Sequence, residues 1–239
     1  MGTPTRSGPI ADLAAGVYLA VGILAALHER ERSGEGRWVQ TSLLEAMVAM
    51  LDFQAARWTM AGEVPGQEGN HHPTGIPMGC FPTADGHMNI AGPSGRLWRN
   101  FCQVIGAPEL LEDPRYASGG LRSKNRAELN ATIEALLRRR TTAEWVEALT
   151  EVGVPAGPVN TIDEVFADPQ VCHLGLAQPV HHPRLGDLSI IRNALTMTGI
   201  EPATVRDHAP DAGEHTDEVL TDLGLSAEEI SDLRHRNVV

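Results

Sequence analysis

Lysine is almost missing from this 239-residue chain: Lys124 is the only one. The other basic residues are arginines, and 19 basic against 31 acidic residues leave a formal net charge of −12. Phosphate backbones need a basic face, so nucleic acid is excluded as the expected partner. An anionic ligand must have its charge met locally, or by residues this chain does not contain. Cysteine is scarce too. Cys80, Cys102 and Cys172 are widely separated, odd in number and form no C-x-x-C pair. That argues against a disulfide framework or a zinc site and favours a reducing, cytoplasmic compartment. No cationic-then-apolar leader opens the chain. The longest apolar run, Leu13 to Leu27, is short for a membrane span and carries Gly16 and Gly22. A buried helix, and no membrane, is the expectation.

Several catalytic signatures are absent as well. There is no H-E-x-x-H and no G-x-S-x-G, so a zincin and a serine hydrolase of the α/β type have no support. The histidine pairs His71-His72 and His181-His182 are adjacent in sequence. Neighbouring residues point in different directions, so neither pair is a ready two-ligand site, and no metal is expected. The cysteines read most simply as small buried apolar residues. No internal repeat or low-complexity tract is present.

What remains is an ordinary globular composition, 42% hydrophobic and 21% charged, long enough for one large domain or two small ones. Met1 to Gly8 reads as a flexible lead-in. Pro9 restrains its own φ and suits the start of a helix that carries Asp12 in its first turn. Past Leu27 that helix runs through His28-Glu29-Arg30-Glu31-Arg32 and stops at Ser33-Gly34. Arg37 to Thr41 is β-prone. The glycines Gly34 and Gly36 lie between helix and strand in the wrong order for a nucleotide-binding loop. Ser42 to Met60 reads as one long second helix, with Leu43, Leu44, Met47, Val48, Leu51 and Trp58 at helical spacing. Gly62 to Pro77 is a long Gly/Pro-rich loop around Asn70-His71-His72-Pro73, of a length that is commonly functional or inter-domain.

A β-hairpin is expected from Cys80 to Ala91, turning at Asp85-Gly86. Helices follow over Leu97–Ile105, Arg126–Arg140 and Thr142–Val152, the last capped by Thr142. Gly153 to Val159 breaks the helical pattern. Thr161 caps a helix through Ala167. Ala177–Val180 and Leu188–Arg192 read as strands. A helix from Gly213 to Leu223 and the capping box Ser226-x-x-Glu229 close the chain.

Asp12 stands alone as an acid in front of an apolar run. Acids are common in first turns, where the unsatisfied N–H groups and the helix dipole favour an anion. A carboxylate held there is also ionised without a base and can attack an activated acyl group. Spacing leaves both roles open.

The run Gly8-Pro-Ile-Ala-Asp-Leu-Ala-Ala-Gly-Val-Tyr through Gly36 resembles the family III CoA-transferases, the CaiB/BaiF family, which also holds α-methylacyl-CoA racemases. The resemblance continues through Val39–Ala46, Phe81-Pro-Thr-Ala-Asp-Gly86, Gly153-Val-Pro-Ala-Gly-Pro-Val159, Asp168-Pro-Gln-Val171 and Gly213-Glu-His-Thr-Asp-Glu-Val-Leu220, and so covers essentially the whole chain. It implies an α/β fold: an incomplete Rossmann-like large domain plus a small α+β domain. Residues 1–60 form the remnant of the large domain with the Asp12 helix, 61–74 a linker, 75–152 the small domain, and 153–239 the return to the large domain. It implies Asp12 as catalytic nucleophile, attacking an acyl-CoA thioester to form an acyl anhydride and then an aspartyl-CoA thioester. Leu43, His71 and His72 are the pocket candidates; Gly69–Pro73 sits where formyl-CoA transferase carries a glycine-rich lid. No cofactor is permanently bound; coenzyme A thioesters and carboxylic acids are substrates. The family's N-terminal Rossmann-like half is not in this chain. The expected partner is therefore a second copy in an interlocked homodimer or a separate N-terminal subunit. Two other functions fit the resemblance: a racemase using Asp12 as acid/base, and a non-catalytic fragment or partner subunit.

Overall fold

The structure, a computed structural model, describes residues 9–200 and 207–239. The Met1–Gly8 lead-in lies outside the described residues. The mixed α/β chain divides into two compact units, residues 1–159 and 160–239.

The first unit opens with α1 (Ile10–Ser33). Gly34 ends it in the left-handed conformation at φ 74°, its N–H returning to the Arg30 carbonyl, as the glycines past Arg32 predict. The expected burial is not found. Only Ala14 and Ala15 of α1 are buried, while Leu13, Val17, Val21 and Leu24 are each at least 60% exposed. The cause is the composition of the helix: it is apolar on every side, so one neighbour cannot cover it. At 24 residues it is also long and apolar enough, by length and composition, to cross a membrane. The β-prone Arg37–Thr41 run is not a strand, because no described strand lies beside it to complete a ladder.

The second long helix is two. α2 (Leu43–Ala49) and α3 (Phe53–Ala61) meet at Asp52, whose φ of 48° breaks the helical path. Apolar periodicity continues through such a break, so the sequence does not reveal it. Ser42 caps α2 by accepting from the Glu45 N–H at 3.1 Å.

The hairpin forms as expected. β1 (Gly79–Pro82) pairs antiparallel with β2 (His87–Ile90), and the Thr83 hydroxyl accepts from the Gly86 N–H inside the Asp85-Gly86 turn. Met88 and Ile90 face the core while His87 and Asn89 face out, the period-two signature of a half-buried strand. Next come α4 (Arg96–Val104), two 3-10 turns (Pro108–Leu111 and Pro114–Tyr116), α5 (Gly119–Lys124), α6 (Arg126–Leu137) and α7 (Thr142–Glu151). The cap of α7 is Thr141, in a capping box with Glu144; Thr142 instead donates its N–H and hydroxyl to Asp85 at 2.8 and 2.9 Å, pinning α7 to the hairpin turn. β3 (Ala156–Pro158) adds to β2 and completes a three-stranded sheet in the order β1-β2-β3. The core lies between this sheet and α4, α6 and α7. Leu129, Ile133 and Leu137 form the buried stripe of α6 at i, i+4, i+8 against Phe81, Phe101, Trp145 and Leu149.

The second unit holds α8 (Ile162–Ala167), capped by the Thr161–Glu164 box, α9 (Pro169–His173), the antiparallel hairpin β4 (Ala177–His182) and β5 (Gly186–Ile191), α10 (Thr216–Asp222), and α11 (Ala227–His235) with its Ser226–Glu229 box. It buries little apolar surface and relies on a polar cluster. The His208 ring meets buried His182 edge-on at 4.6 Å and pairs with Asp207 and Glu214 at 2.8 and 3.1 Å. Arg184, next to the β4–β5 turn, pairs with Asp211. Burial works against the His208 cation, but the Asp207 hydrogen bond and the charges of Glu214 and Asp207 outweigh it and hold its pKa above 6.5.

Two outcomes test these packings. Leu129→Ala should cost about 2–5 kcal/mol in urea denaturation, because a fully buried side chain leaves a cavity. A group whose folded pKa is raised stabilises fully below its unfolded pKa and loses that contribution as pH rises through the folded value. The melting temperature of the second unit should therefore fall as pH rises above 6.5, and His208→Gln should flatten that dependence.

Candidate active site

Asp12 is the third residue of α1, in the first turn, three residues after Pro9, whose carbonyl accepts from the Leu13 N–H. The flanking position is Pro9, which has no side-chain acceptor, so the helix has no side-chain cap. Asp12 is exposed, and its carboxylate accepts no hydrogen bond from any described residue. The oxygens therefore point to neither of the usual first-turn partners. They sit at the positive end of the helix dipole, with their lone pairs free.

After α1 the chain doubles back along it. A Cβ at Gly22 would stand 2.8 Å from the Val39 side chain, so this glycine makes room for the side chain of the returning segment. Ala46 of α2 then packs on Ala14 and Ala15. Three small residues let the two helices approach closely. Leu43 is 50% exposed.

His71 and His72 lie in another part of the first unit and diverge, as adjacency predicts. His71 turns inward, its ring edge-on to Phe81 at 5.0 Å. Its Nδ1 is buried without a hydrogen-bond partner, and burial lowers its pKa. His72 stacks on Phe53 of α3 at 5.5 Å. Its Nδ1 accepts from the Gly75 N–H at 2.8 Å and the Thr74 N–H at 3.2 Å. Neither histidine bonds to Asp12.

Two arginines that sequence reading passed over hold this loop. Arg126 donates to the carbonyls of His72 and Pro73 and pairs with Glu68 at 2.8 Å. Arg122 is buried, donates to the Ile76 carbonyl at 2.9 Å and the Tyr116 carbonyl at 3.2 Å, and stacks over Trp98 at 4.8 Å. Its burial, with no carboxylate beside it, lowers its pKa. Their four-residue spacing in an acidic chain is the one signal that could have marked them.

Beside the loop opens a groove of about 450 Å³, lined by His72, Met78, Asn89, Ile90, Pro155 and Gly157 among others. His72 lines it and His71 does not. The Gly153–Val159 segment, singled out in the sequence as a break, supplies one wall through β3. Among the described residues no group of His, Cys, Asp and Glu is arranged to hold a metal.

A profile of CoA-transferase family III matches residues 1–216. The chain belongs to that family. It is 32% identical over 239 residues to a succinyl-CoA–D-citramalate CoA-transferase of Chloroflexus aurantiacus, covering 99% of this chain and 59% of the relative. It is 35% identical over 234 residues to a succinyl-CoA:mesaconate CoA-transferase of Haloarcula marismortui, covering 94% of this chain and 56% of the relative. Among solved structures, a CaiB/BaiF family protein from Brucella suis superposes with a TM-score of 0.75 at 28% identity, over 93% of this chain and 59% of that one. The chain thus spans somewhat more than half the length of these relatives. CoA-transferases of this kind take CoA thioesters as substrates.

The loop depends on Gly79, at φ 142°, where a Cβ would stand 2.5 Å from the Asn70 carbonyl oxygen and 2.7 Å from His71 Cα. Gly79→Ala should lower stability by about 1–3 kcal/mol in urea denaturation, since both contacts are with backbone.

Proposed function

We propose that this chain carries the aspartyl nucleophile and part of the acyl-binding surface of an enzyme that moves CoA from succinyl-CoA to a second carboxylic acid. The observation that carries the reading is the Asp12 carboxylate, free of hydrogen bonds at a helix N-terminus within a family match over residues 1–216. The names of the relatives from Chloroflexus and Haloarcula support succinyl-CoA as donor and a dicarboxylic acid as acceptor.

The steps balance without a cofactor. An Asp12 oxygen attacks the thioester carbonyl, the C–S bond breaks, and CoA leaves as thiolate. The thiolate attacks the Asp12 carbonyl of the mixed anhydride and expels succinate. The acceptor carboxylate displaces the thiolate again, and the thiolate finally attacks the acceptor's acyl carbon and releases Asp12 as a carboxylate. A group that serves as nucleophile and leaving group in turn must be a stable anion, which the helix N-terminus favours. Of the pocket candidates, His72 belongs to the surface around the acyl chain, while His71 turns inward against Phe81 and Leu43 lies apart on α2. The bare apolar faces of α1 are where the rest of the family fold packs, supplied by a second copy or a separate subunit. The enzyme is cytoplasmic.

Incubation with succinyl-CoA and hydroxylamine, followed by peptide mass spectrometry, should place a hydroxamate on Asp12. In a CoA-transferring preparation containing this chain, Asp12→Asn should lower the rate by about 10³-fold or more. A hydroxamate on another acid would overturn the assignment. Exchange of an α-proton with solvent, with no hydroxamate, would make Asp12 an acid/base instead.

A further inference from the structure

The groove beside the His71–His72 loop has a defined polarity. The Gly75 and Thr74 amides both donate to His72 Nδ1. A nitrogen that accepts cannot carry the proton, so the neutral ring holds it on Nε2. Stacking on Phe53 fixes the ring plane, and Arg126 fixes the backbone through the His72 carbonyl. His72 is thus a rigid, single N–H donor. Asn89 lines the same groove from the outward face of β2, and its amide has no partner among the described residues.

The remaining lining is apolar. Met78 is wedged where a Cβ at Gly75 or Gly92 would meet its sulfur at 3.4 or 3.3 Å, and Ile90, Ala91, Pro155 and Ala156 continue the surface. The floor is left open at Gly157, opposite Asn89 in the β2–β3 register; a Cβ there would meet nothing within 4 Å. No carboxylate lines the groove, although the chain carries a net charge of −12.

We infer that this groove takes the methylene chain and far carboxylate of a short dicarboxylic acyl group, with the His72 Nε2–H and the Asn89 amide donating to that carboxylate. The inference rests on the CoA-transfer reading for its biological meaning. The donor pair favours a dicarboxylic acid over a monocarboxylic acid of equal length, which offers neither donor an acceptor. Charge is met by hydrogen bonds rather than by a lysine or arginine, which suits a surface with neither.

The test needs no catalysis. Nitrogen NMR of the labelled chain should show His72 with Nδ1 as acceptor and Nε2 protonated. Titration with sodium succinate or glutarate should shift the His72 Nε2 and Asn89 amide signals, and sodium butyrate should not. His72→Phe keeps the stack on Phe53 and removes the donor; it and Asn89→Ala should each weaken succinate binding roughly tenfold or more. Gly157→Val builds into the open floor, where a Cβ would meet nothing within 4 Å, and should abolish the shifts while the His72 acceptor signature persists. Equal response to butyrate, the opposite tautomer, succinate shifts surviving in Gly157→Val, or no response to succinate would each overturn the inference. Succinate binding intact with no Asp12 hydroxamate would sink the CoA-transfer reading alone.

Discussion

Arg122 is a cation buried without an anion. Such a group is costly to desolvate, and here two carbonyls and the face of Trp98 offset the cost. Its Ile76 contact reaches across 46 residues to join the α5 turn to the end of the His71–His72 loop, while Trp98 ties it to the core. Arg126, four residues on, fastens the start of the same loop through His72 and Pro73. Arginine suits both places because its planar fork reaches two acceptors at once and remains charged. Without this pair, a stretch rich in glycine and proline has few bonds of its own and no means of presenting one imidazole nitrogen in one direction.

The two candidate parts of the site use different physics. At Asp12 the backbone provides the setting: a helix terminus supplies positive potential, and no described residue donates to the carboxylate oxygens. At the groove, side chains do it, with a tautomer set by two amides and an apolar floor opened by a glycine. On the proposed reading, nucleophile and selector sit on separate supports, α1 with α2 in one case and the three-stranded sheet in the other.

What the sequence made legible was local. The Asp85-Gly86 turn, the Gly34 stop, the cap at Thr161 and the capping box at Ser226 are decided by residues within three or four positions, and all appear in the structure. What it hid depends on distant partners. The Arg37–Thr41 run is β-prone but has no described neighbour to pair with. Apolar spacing runs unbroken through Asp52, where the backbone turns at positive φ. Thr141 rather than Thr142 caps α7 because Asp85, 57 residues earlier, engages Thr142. The Asp12 motif was visible as a family resemblance, and its free carboxylate was not. His72 was visible as a loop histidine, while its fixed nitrogen required the Thr74-Gly75 turn to be seen.

The bare circumference of α1 has a consequence for how the protein behaves in a tube. On the proposed reading, a copy or subunit that covers those apolar faces binds the folded chain and not the unfolded one, and so adds stability by mass action. The midpoint of unfolding for this part of the molecule is then a function of protein concentration and of what else is in solution. A melting curve recorded at a single dilution describes an association as much as a fold.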